Sequence, residues 1–204
     1  MELINFVKKE IVSKESGVSK QKQKIAQLIA DLRSGNETKM STALKALQSN
    51  GDVSVLEPVS SLLMTDLSEK MHHEVLEFLS TLNDSGAIEV MMDLIKDPNF
   101  ETVRRELLST LWNSKLDYSY YLPEFVAIAV DGDFMEALEC LTIIENLEGP
   151  FEERHILESQ LHLKDYLEDT APKDPQKSQI MSEIALIVKD FNESDDDDIS
   201  YFNE

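Results

Sequence analysis

The chain has 204 residues, 42% of them hydrophobic, with six glycines, six prolines and one cysteine. That is too apolar for an unstructured chain, too poor in breakers for a loop-rich fold, and rules out an internal disulfide. The net charge of −21 opposes phosphate backbones, which are held by clustered Lys and Arg, and favours solubility or basic partners.

The charge is graded along the chain. Residues 1–24 carry six lysines against three glutamates, whereas residues 133–204 carry five bases against 20 acids. Leu3, Phe6, Val7 and Ile11 recur at helical spacing and predict a short amphipathic helix. The charges Lys8, Lys9 and Glu10 interrupt the apolar run, and the start lacks the order of a secretory signal. No stretch approaches the roughly 20 apolar residues of a membrane span. The expectation is a cytoplasmic protein with no membrane span. Residues 13–24 read as a polar linker entering a helix, so 1–24 form an N-terminal amphipathic helix and linker.

Ile25, Leu28, Ile29 and Leu32 form the next apolar stripe, with Gly35 placed as a left-handed cap. A repeat follows. Leu44, Leu76 and Leu108 are 32 residues apart, as are Leu47, Leu79 and Leu111. Leu56, Val59, Leu62 and Leu63 correspond to Ile88, Met91, Leu94 and Ile95, and with a two-residue insertion to Leu122, Phe125, Ile128 and Ala129. Periods of this size mark stacked helical pairs. The units lie near 36–66, 67–98, 99–132 and 133–170. Asn50-Gly51-Asp52, Asn83-Asp84-Ser85-Gly86 and Glu148-Gly149-Pro150 supply turns after the first helix of a unit, and Pro58 and Pro123 lie near second-helix starts. A last helix through Ile180, Ile184, Ile187, Val188 and Phe191 caps the array. Residues 192–204 read as a disordered acidic tail.

The sharpest junction is Ala87–Leu108. An apolar helix ends at Asp97-Pro98, and a second begins near Val103-Arg104. This junction resembles the centre of a HEAT-like repeat, a likeness that extends more loosely over residues 25–170. At the other junctions, Asp66 and Asp131 keep the acid without the Pro and Arg. The resemblance implies an all-α, right-handed superhelix (HEAT- or armadillo-like) of about four helical pairs over residues 25–191, with capping helices at its ends. It implies that Asp97 and Pro98 turn the corner, that Val103 packs inward and that Arg104 bonds in the turn between units. Second helices line the inner surface of such arrays, which puts Glu57, Glu89, Met92, Asp93, Tyr121 and Glu124 on one ridge.

Candidate chemistry is sparse. His72 and His73 point about 100° apart, and His155 and His162 are about 10 Å apart along a helix, so surface histidines and no metal are expected. Cys140 lies beside Glu139 and reads as a buried structural residue, since a nearby carboxylate disfavours the thiolate. No glycine-rich phosphate loop or nucleophile elbow occurs. No cofactor and no nucleic acid are expected. The densest aromatic cluster is Tyr118, Tyr120, Tyr121 and Phe125, with Trp112 nearby. Tyr118 and Tyr121 are its candidates for exposed interface anchors. The reading is a non-enzymatic protein–protein interaction scaffold that grips a basic protein with an acidic concave surface. The alternatives are an enzyme or regulatory subunit of the HEAT-like lyase or glycosylase kind, or an acidic DNA mimic. Self-assembly through the N-terminal helix is a further alternative, and the oligomeric state is open.

Overall fold

The computed structural model describes residues 19–199, and every regular element among them is helical. The protein is all-α. It divides into two compact units, residues 1–78 and 79–204, with the division inside one helix, Glu69–Ser80.

In the first unit, α1 covers residues 19–32, so residues 19–24 of the expected linker are already helical. Residues 1–18, with the expected amphipathic helix, lie outside the described residues. Gly35 follows at φ +67°, a conformation that strains any residue with a Cβ, as the reading of a left-handed cap requires. Asn36 then starts α2 (Glu37–Asn50) by accepting the Lys39 N–H at 3.1 Å. The helix buries Met40, Ala43, Leu44 and Leu47, the 3–4 spacing of an amphipathic stripe. Asp52 caps a 3₁₀ turn, Val53–Val55, which leads into α3 (Leu56–Ser60). The helix tightens to a second 3₁₀ segment, Ser61–Met64. Val55, Leu56, Val59, Leu62 and Leu63 are buried along this stretch. The helix α4 (Glu69–Ser80) buries Met71, Val75, Phe78 and Leu79. The Glu37 carboxylate ties its approach to the start of α2 by accepting the Ser68 N–H at 3.3 Å.

The second unit contains α5 (Gly86–Lys96), a 3₁₀ segment (Pro98–Val103), α6 (Arg104–Leu111), a 3₁₀ turn (Ser119–Tyr121), α7 (Leu122–Asp131), α8 (Phe134–Glu145), α9 (Glu153–Glu168) and α10 (Pro175–Ile199). Helices thus fall two to each of the four expected 30-odd-residue units, with α10 after them. Packing alternates along the chain. α6 lies on α8 and α8 on α10, while α7 touches both α8 and α9, and α10 also touches α9. Leu107, Leu108, Leu122, Phe125, Val126, Ile144, Ile156 and Ile184 are all fully or nearly fully buried. Each such side chain stabilises the fold by about 1.5–3 kcal/mol relative to exposure.

The corner after α5 is held by short-range contacts. Asp97 accepts the Asn99 N–H at 2.9 Å, Pro98 occupies the first position of the 3₁₀ segment where no N–H is needed, and Val103 is buried. Arg104 donates through Nε to the Ile95 carbonyl at 3.0 Å and pairs with Glu136 at 3.4 Å. It therefore satisfies an orphan carbonyl in the last turn of α5 and reaches α8.

Two further fastenings went unrecognised in the sequence. Asp133 and Glu136 form a reciprocal capping box at the start of α8, recognisable as Asp-x-x-Glu. Lys177 donates to the Val130 and Gly132 carbonyls at 2.5 and 2.6 Å, placing a cation at the negative end of α7. At the C-terminus, the helical backbone runs to Ile199, past residue 192 where the disordered tail was expected to begin. Residues 200–204 lie outside the described residues.

Candidate protein-binding surface

The expected ridge is assembled partly within the second unit. Glu89 and Asp93 are one helical turn apart on α5, both exposed, and Lys96 follows three residues later on the same side. The opposing residues come from the 3₁₀ turn and α7. Asp117 shapes that turn by accepting the Ser119 N–H at 2.9 Å and the Ser119 hydroxyl at 2.6 Å. The turn presents Tyr120 and Tyr121 to solvent, ring centroids 5.5 Å apart and edge to face. Glu124 follows in the first turn of α7.

These groups meet around Tyr121. Its phenol is pushed up, first by desolvation, then by the negative charges of Glu89, Glu124 and Asp93. Three carboxylates from two helices are therefore near enough to Tyr121 to raise its phenol. Lys96 is the cation paired with these groups, 4.0 Å from Glu124 and 5.8 Å from the Tyr121 ring centroid. One ammonium leaves the cluster with excess negative charge. A cleft of about 210 Å³ lies alongside, lined by Ile95, Lys96, Glu124, Ala127 and Ile128 among others. On the other flank, Tyr120 is 56% exposed, with the His155 ring 4.5 Å away and the Arg154 guanidinium 5.7 Å away.

Two of the expected anchors are not at the surface. Met92 is 0% exposed. The helix α5 buries Ala87, Met91, Met92, Leu94 and Ile95, so its apolar face is wider than the single stripe read from the 3–4 spacing. Tyr118 is 2% exposed, packed edge to face on Phe125 at 6.4 Å. Its phenol is pushed up to about 12, first by burial, against a weaker opposing effect of Ser114. The tyrosines that do reach solvent are Tyr120 and Tyr121. Glu57 is exposed, on α3 of the first unit. Glu89, Asp93, Tyr121 and Glu124 are the four expected residues brought together. Lys96, Tyr120, Arg154 and His155 join them unpredicted. Lys96 was the most accessible of these, since it lies seven residues after Glu89 on one helix face.

His155 also departs from the expected surface histidine. It is 6% exposed, on the buried face of α9, with the Tyr120 ring edge to face at 4.5 Å. Cys140 is buried, and its thiol is pushed up by burial and then by Glu136 and Glu139, so it is held as the thiol. Among the described residues there is no cluster of three or more potential metal ligands. No helix among them is long and apolar enough to cross a membrane. Tyr118 lines a polar cleft of about 280 Å³ with Ser114, Asp117, Asn146 and Glu148, and Trp112 is not among its walls. Comparison with protein-family models, with curated proteins and with solved structures finds no match.

Proposed function

We propose that this protein is a non-enzymatic, cytoplasmic interaction scaffold. Its helical pairs stack as a HEAT-like right-handed solenoid and hold a basic protein partner against an acidic, tyrosine-bearing surface. The observation that carries the reading is Tyr121, half-buried among Glu89, Asp93 and Glu124 with one lysine to balance them. A lysine or arginine of a partner gains carboxylate contacts and a ring face there, and Lys96 already illustrates the arrangement from within the chain. Charge complementarity of this kind sets orientation and association rate more than affinity. The solenoid part is supported by the alternation of contacts, with α6 on α8, α7 on α9 and α8 on α10, and by Arg104 joining one corner to the next helix pair.

The test is capture of partners from a native lysate by the full chain and by a Glu89→Gln, Asp93→Asn, Glu124→Gln variant, at low and high salt. The expected result is a set of basic proteins held at low salt, released at high salt and lost from the variant. Partners that ignore both salt and the substitutions would refute the acidic-surface reading.

A further inference from the structure

The acidic cluster at Tyr121 is one end of a longer feature. Tyr121 caps α7, and Ile128 follows it by about two helical turns. The two therefore share a face roughly 10 Å apart, with Glu124 between them. On α5, Glu89 and Lys96 have the same spacing, with Asp93 between them. The Lys96–Glu124 pair, at 4.0 Å, sets these two rows side by side.

The rows change character along their length. At one end, Glu89, Asp93 and Glu124 raise the Tyr121 phenol and leave an excess of negative charge. At the other lies the cleft of about 210 Å³, lined by Ile95, Ala127 and Ile128, of which Ala127 and Ile128 are half-buried. The charges that also line this cleft cancel, Lys96 and Arg104 against Glu124 and Asp131. Lys96 and Arg104 already hold acids of this chain, which disfavours an anion there. At about 30 Å³ per water the cleft holds on the order of seven waters beside aliphatic walls, and an aliphatic side chain displaces them favourably.

We infer, on the reading of the Tyr121 cluster as a cation seat, that the two ends are recognised together by one helix of the partner. It lays a lysine or arginine against Tyr121 and, roughly 10 Å further on, a leucine, isoleucine or methionine in the cleft between Ile95 and Ile128. Residues i and i+7 of a helix meet that spacing on one face, whereas i and i+5 point about 140° apart. An extended segment spans the same distance in about three residues, and its alternating side chains then point to opposite sides. The cation guides the encounter, and the aliphatic anchor discriminates among basic partners, because a cation alone fits any of them.

Fluorescence anisotropy of the full chain with two labelled helical peptides of identical composition tests the proposal. Both carry arginines at i−4 and i; one has its single leucine at i+7, the other at i+5. The i+7 peptide should bind at least about fivefold more tightly. Ala127→Leu, which fills the cleft, should abolish that advantage and leave the affinity for the i+5 peptide within about twofold. Ile128→Ala, which shortens one wall, should reduce the advantage by a few-fold, and circular dichroism melts would verify that both variants fold. The Glu89→Gln, Asp93→Asn, Glu124→Gln variant should weaken both peptides. Equal affinities for the two peptides, or an advantage that survives both cleft variants, would overturn the anchor while the cation seat stands. Peptides that fail to bind, or that ignore the triple variant, would overturn the seat itself and the anchor with it.

Discussion

Arg104→Ala tests how one corner is fastened to the next helix pair. The native guanidinium makes two contacts with different owners, the Ile95 carbonyl at 3.0 Å and the Glu136 carboxylate at 3.4 Å. Arg104 and Glu136 have side chains only 20% and 14% exposed, so solvent replaces these contacts poorly. A hydrogen bond to a charged group contributes about 1.5–3 kcal/mol, and Glu136 keeps one donor, the Asp133 N–H at 3.0 Å. The expected loss is therefore about 2–3 kcal/mol, equivalent to a fall in melting temperature of roughly 5–10 °C. Arg104→Lys should recover part of it, because the charge remains and the planar fork is lost. The neighbouring Arg105 is exposed, and Arg105→Ala should cost less than about 0.5 kcal/mol. Urea denaturation of the three variants, followed by circular dichroism, gives the comparison. Equal midpoints for Arg104→Ala and Arg105→Ala would refute the role assigned to Arg104.

Met92→Ala should destabilise by about 2–5 kcal/mol in the same assay, as a core truncation does; a surface methionine would cost almost nothing. Tyr118 should make stability fall at high pH. Its phenol is held protonated to about pH 12 in the fold, against an ordinary value near 10 in the unfolded chain. Between those values the native state binds a proton that the unfolded state has released, so the contribution is complete below pH 10 and is lost as pH rises towards 12. The loss is about 2–3 kcal/mol, and Tyr118→Phe should remove it, which denaturation curves at pH 9 and 11.5 would reveal by difference. Since the Tyr118 hydroxyl has no hydrogen-bond partner of good geometry, the same variant should be neutral or slightly stabilising at pH 7. Deleting residues 67–98 removes both α4 and α5 and should leave a shorter chain that melts cooperatively, whereas deleting 67–82 removes α4 alone and should not. Equally cooperative melts of the two would argue against stacked pairs.

The parts of the fold that local chemistry dictates were legible in the sequence. Asp97-Pro98 reads as a corner because a short acceptor and a missing N–H act on their immediate neighbours, and Gly35 reads as a cap for a similarly local reason. Burial was less legible. Met91 and Met92 are adjacent and equally apolar, and only the packing around α5 decides that both are inside. Tyr118, Tyr120 and Tyr121 differ little in their surroundings along the chain. The turn fixed by Asp117 sends the first into the core against Phe125 and the other two outward. The charge cluster was half legible. Glu89 and Asp93 share a face by helical spacing alone, and Glu124 joins them across the pairing of two helices. Contacts such as Arg104 with Glu136 or Lys177 with Val130 link residues 32 and 47 apart, beyond any local rule.

The central question is whether the Tyr121 cluster binds cations locally or merely contributes to a diffuse negative charge. Fluorescence anisotropy of a labelled lysine- and arginine-rich helical peptide measures this. It would compare the full chain, the Glu89→Gln, Asp93→Asn, Glu124→Gln variant, and a control of equal net charge, Asp66→Asn, Glu69→Gln, Asp84→Asn. Affinity should be about tenfold lower for the first variant and near-native for the control, with a weaker dependence on salt only in the first. Equal losses in the two variants would contradict local binding.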